Sequence, residues 1–133
     1  MESEELSVDT SSRRFVDLTT AVGEFVGHFE DGLANVFIPH ATAGLAVIET
    51  GSGTEEDLDQ ILARVLPRDL DYVHSHGSAG HGADHVLPAF LSPSLIVPVV
   101  GGRLQLGTWQ SIVLVDLNVD NPHRKVRLSF IPG

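Results

Sequence analysis

The chain has 133 residues, of which 18 are acidic, 8 basic and none cysteine, giving a formal net charge of −10. That length suits one domain with a real core, and the 42% hydrophobic content argues against disorder. The missing cysteines exclude disulfides, thiolate nucleophiles and Cys-based metal sites, and the acidic balance argues against a nucleic-acid partner.

No apolar run approaches the ~18 residues of a membrane helix, so no membrane partner is expected. The start Met1-Glu2-Ser3-Glu4-Glu5 is unlike a basic secretory leader and points to a cytoplasmic location. An acidic chain whose only lysine is Lys125 also fits a halophilic, high-salt cytoplasm.

In chain order, residues 1–11 read as an acidic, flexible N-terminus ahead of one domain over 12–133. Ser12 to Thr19 reads as a strand, and Thr19 or Thr20 as the cap of a short helix through Phe25 and Val26. Asp31-Gly32 marks a turn, and Leu33 to Ile38 and Gly44 to Glu49 are buried strands. Thr54 and Asp57 resemble a capping box. Leu58, Ile61, Leu62, Val65 and Leu66 then form one apolar stripe, so a clear helix runs over about 55–66 until Pro67 stops it. Residues 68–82 read as a loop, and Ala83 to Leu91 as a short helix interrupted by Pro88. Leu95 to Val100, Gly102 to Leu106, Ser111 to Leu117 and Arg124 to Ile131 are four closing strands. The pattern predicts an α+β domain dominated by antiparallel sheet, its short strands closing into a sandwich or a barrel.

Histidine is the informative residue. Seven occur, and four of them, His74, His76, His81 and His85, lie within twelve positions. His74 and His76 share a face if extended. His81 and His85 share one if helical, a zinc-binding spacing that here lacks a metalloprotease's glutamate. The alternative for His76 and His81 is a loop of solvated histidines, and His28 and His123 read as surface residues. His40, at a strand end beside the small residues Ala41-Thr42-Ala43-Gly44, is placed to enter a pocket. Glu49 reads equally as a sheet-edge carboxylate and as a partly buried base or ligand. In the segment Pro98 to Gln110, Arg103 suits a phosphate or carboxylate. Amides around Gly107 could form an anion nest. The competing reading is a hairpin with Trp109 as a core plug.

His40-Ala41-Thr42-Ala43-Gly44-Leu45 through Glu49, Tyr72-Val73-His74, Ala83-Asp84-His85 and Gly102-Arg103-Leu104-Gln105-Leu106-Gly107-Thr108-Trp109-Gln110 together resemble the YjbQ family, described as secondary thiamine-phosphate synthase enzymes. The resemblance runs in order over roughly residues 12–131. It implies a β-sandwich core, a homotrimer and a histidine-lined pocket for a phosphorylated small molecule, sometimes with a divalent metal, zinc or magnesium. Carried over by position, His40, Glu49, His74 and His85 would be catalytic, with His40, His74 and His85 as metal ligands. Thr42, Arg103, Gly107, Thr108, Trp109 and Gln110 would bind substrate. The alternative is a trimeric ligand- or metal-binding module without turnover. The chain departs from the family pattern at Ser75, Ser111, Asp116 and Asn118, the last standing where an arginine is usual.

Overall fold

In the computed structural model, which describes residues 1–133, β1 (Glu2–Asp9), β2 (Phe15–Asp17), α1 (Thr19–Val26), β3 (Gly32–Phe37), β4 (Ala43–Ile48), α2 (Thr54–Val65), α3 (His81–Phe90), β5 (Ser94–Val100), β6 (Arg103–Leu104), β7 (Ser111–Asp116) and β8 (His123–Pro132) follow one another. They build two antiparallel sheets, one ordered β1-β8-β3-β5-β6 and the other β2-β7-β4. The expected α+β architecture with a sandwich-like core is the observed one.

Strand β7 shows how the layers form. Ile112 and Leu114 face the main core between the sheets, which α1 closes with Val22, Phe25 and Val26. Val113 and Val115 face the other way, into a second core with Leu62 and Leu66 at the α2 end and Ala83 and Leu87 of α3. A strand covered on both faces needs an unbroken apolar run, and Ile112-Val113-Leu114-Val115 supplies it.

Five expectations need correcting. The N-terminus is not flexible: Glu2 to Asp9 pair with Phe130 to His123, because Leu6 and Val8 alternate inward and pack on the main core. The strand foreseen from Ser12 shrinks to β2, since Thr19 already begins a helix. Thr19 is no cap; its hydroxyl accepts the Ile112 N–H at 2.8 Å and ties the helix to β7. At α2 the capping box is absent: the N-cap is Gly53 in the left-handed region, and the Glu55 carboxylate reaches back to the Gly51 N–H. Helix α3 begins at His81, two residues earlier than expected, and runs on through Pro88 to Phe90. Pro88 deprives only the Asp84 carbonyl of its donor, and the Leu91 N–H to Leu87 carbonyl bond closes the helix.

A candidate metal centre of histidines

The loop between α2 and α3 is folded back on α3 by specific bonds. Asp84, 1% exposed, receives both terminal nitrogens of Arg68, and Arg68 also donates to the Ala79 carbonyl. The Tyr72 hydroxyl donates to the Pro67 carbonyl at 2.8 Å. Gly82 lets the helix press on this loop: a Cβ there would stand 2.5 Å from the Tyr72 side chain and 2.6 Å from the His74 carbonyl. These contacts carry His74 and His76 over the first turn of α3.

One imidazole cluster results. Ring centroids lie 4.0 Å apart for His74 and His85, 4.6 Å for His81 and His85, and 4.1 Å for His74 and His76. The nitrogens of His74, His81 and His85 fall within 4.8 Å of one another, close enough to share a metal ion. His81 Nδ1 lies 2.9 Å from Asp120 Oδ2. A carboxylate only accepts, so Nδ1 carries the hydrogen and Nε2 presents its lone pair, the arrangement that carboxylates impose on metal-binding histidines. His85 Nε2 lies 2.9 Å from that atom. His74 Nε2 is buried without a hydrogen-bond partner, a costly state for a polar nitrogen unless something is bound there. Burial, reinforced by the neighbouring imidazoles, lowers the pKa of His74 and of His85, favouring the neutral form a metal requires. The Ser78 backbone N–H, and then His81, holds Asp120 below its ordinary value.

Asn118 joins this cluster to the sheet. Its Nδ2 donates to Asp84 Oδ2 at 3.1 Å and lies 3.2 Å from His81 Nδ1, while its Oδ1 accepts the Asp120 and Asn121 N–H groups. Its own N–H binds Asp116 Oδ1. Asp116 in turn forms a buried ion pair with Arg124, at 2.7 and 3.0 Å, and accepts the Thr10 hydroxyl. The departures at Asp116 and Asn118 therefore form one connected polar network, with Arg124 as its cation.

The expected site residues divide between places. His74 and His85 are in the cluster, but the third imidazole is His81, not His40. His40 stands past the end of β3, where its Nε2 accepts the Lys125 N–H at 2.9 Å. Its pKa is lowered by burial and then by Arg124, with Asp116 opposing. Reading His81 as a solvated loop residue fails because α3 starts early enough to turn it inward, whereas His76 is an exposed loop residue as that reading has it. Thr42 is buried and spent on Arg124, 2.8 Å away.

Within one chain the remaining residues do not reach the imidazoles. Ala43 pairs with Asp116 and Ile48 with Ser111. Glu49 and Gln110 thus flank the far end of β4 and β7, about 17 Å along the strands from Asp116 at five residue steps. There Gln110 Oε1 accepts the Gly107 N–H, Gly107, Thr108 and Arg103 are exposed, and Trp109 is 72% exposed rather than a core plug. Sequence reasoning missed Asp84 and Asp120 as partners of the cluster; its one usable signal was the four-residue spacing of His81 and His85.

Comparison with known proteins agrees with this architecture. Residues 4–133 match the family model described as UPF0047 protein YjbQ-like. A UPF0047 protein of Mycobacterium tuberculosis, Rv2556c, is 65% identical over 133 residues, covering 100% of both chains. The UPF0047 protein YjbQ of Salmonella typhimurium is 33% identical over 98 residues, covering 73% of this chain and 71% of its own. Among solved structures, a hypothetical protein of Aeropyrum pernix superposes with a TM-score of 0.87 at 31% identity, covering 100% of both chains. The chain belongs to the YjbQ-like UPF0047 family.

Proposed function

We propose that this protein binds a divalent transition metal through His74, His81 and His85, and that the metal takes up the phosphate of a small molecule. The observation that carries the reading is the buried, unpartnered His74 Nε2 beside two further imidazoles, one of them oriented by Asp120. Three neutral imidazoles without a thiolate favour zinc over magnesium, and three protein ligands leave a position open for an exogenous oxygen. When bound, such an ion supplies Lewis acidity toward a phosphoryl oxygen. The protein's part is to orient the imidazoles through Asp120, Asn118 and the Arg68–Asp84 pair.

The test is zinc titration of tag-free, chelator-stripped protein by calorimetry. One zinc per chain is expected, with His81→Ala and His85→Ala abolishing binding and His40→Ala retaining it. Absence of binding at pH 7.5, or equal loss in all three variants, refutes the assignment. The thiamine-phosphate synthase activity is the more specific form of this reading, and a thiamine auxotroph decides it: complementation that survives His85→Ala excludes the synthase role for this site.

The same reading includes assembly as a homotrimer. Its support is the outer face of the five-stranded sheet, where Leu33 pairs with both Pro98 and Ile131, and where Phe37, Ile96 and Val100 are also exposed. A contiguous apolar patch on a sheet face marks a surface that a partner covers.

A further inference from the structure

The strongly acidic chain has one cavity of opposite character. Thr10, Ser11, Ser12, Arg13 and Arg14 line one side of a space of about 340 Å³, and Asp116 to Val119 with Pro122 line the other. Five of the eight cations are committed to ion pairs: Arg14, Arg68, Arg124, Lys125 and Arg127. Of the other three, Arg64 and Arg103 line no cavity, whereas Arg13 lines this one. The cavity's only carboxylate, Asp116, is neutralised by Arg124. Arg14 is held merely by an exposed contact with Asp59 at 3.1 Å, a pair weak enough to yield to a ligand. The Ser11 N–H and hydroxyl both turn to the Asp9 carboxylate, whereas the Ser12 hydroxyl has no protein partner.

We propose that this cavity is an anion site in which Arg13 and Arg14, with the Ser12 hydroxyl, hold a phosphate or diphosphate group. Two guanidiniums with a free hydroxyl, and no uncompensated carboxylate in the lining, match a multiply charged oxyanion. The site is separate from the imidazoles and needs no metal. Asn118 lines it, donates to Asp84 and lies against His81, so one side chain adjoins both the anion site and the histidine cluster.

The experiment is calorimetric titration of the full chain with inorganic phosphate and with pyrophosphate, in chelator and without metal. Binding is expected for the native protein, with pyrophosphate the tighter of the two because it engages both arginines. Affinity should fall more than tenfold in Arg13→Ala, recover in part in Arg13→Lys and weaken as salt rises. The His81→Ala variant should bind as the native chain does, which separates this site from the proposed metal centre. No binding by native protein, or equal affinity in Arg13→Ala, overturns the proposal.

Discussion

Replacing Asp116 by asparagine tests the polar network on which the histidine cluster rests. Asp116 and Arg124 have side chains only 0% and 2% exposed, so neither charge can turn to water once its partner is gone. Breaking such a buried pair from one side costs about 3–5 kcal/mol. An unfolding entropy of about 2.1 cal/mol/K per residue gives about 0.28 kcal/mol/K for a chain of this size. The expected fall in Tm is therefore about 11–18 °C. The shape of the side chain is kept, so the loss reads charge pairing rather than a cavity. Differential scanning calorimetry of the metal-free protein measures it. The double variant Asp116→Asn, Arg124→Gln should recover part of the loss, because it removes the orphaned cation. A fall below about 4 °C, well under what a broken buried pair demands, would refute the account.

Other changes follow from the same geometry. Adding a methyl at Gly82 pushes it against Tyr72 and the His74 carbonyl, so Gly82→Ala should weaken zinc binding at least tenfold while Ala89→Ser on the exposed side of α3 leaves it unchanged; calorimetry decides. His40 must be neutral to accept the Lys125 N–H, and its pKa lies below the ordinary 6.5. The unfolded chain then takes up a proton at His40 before the folded one does. This group's contribution is accordingly full above pH 6.5 and lost as pH falls toward the lowered value. Urea unfolding at a series of pH values should show a shallower acid-side decline in His40→Gln. Light scattering should find a trimer that Phe37→Asp with Ile96→Asp dissociates; native protein running as a monomer excludes that assembly.

The fold was legible because burial writes itself into periodicity. The α2 stripe, the apolar run of β7 and the alternation of β5 each encode a face that must leave water. Boundaries were harder where one residue has two uses. Thr19 looks like a cap, yet its hydroxyl serves Ile112 across 93 residues of chain. The N-terminus looks too charged to pair, but β1 is an edge strand: Leu6 and Val8 supply its inward face, and Glu5 meets Lys125 and Arg127 on the outward one.

The site was legible only in part, for a reason specific to polar networks. His74 and His85 could be picked out by their motifs, and the spacing of His81 and His85 was visible. Whether His81 points inward, however, depends on where α3 begins, and that depends on Arg68 reaching Asp84 across 16 residues. Nothing in local propensity encodes such a bond. The same holds for Asn118, which as an isolated letter reads as a lost arginine. Its role appears only when Asp84, His81, Asp120 and Asp116 surround it. In the folded chain the cation of that network comes from Arg124, one strand later, and an asparagine with both donors and acceptors is what can link the Asp84 carboxylate to the turn that carries Asp120. Substituting Asn118 by arginine would therefore not repair the network; it would remove the Oδ1 that accepts the Asp120 and Asn121 N–H groups and so free the turn that holds Asp120 on His81.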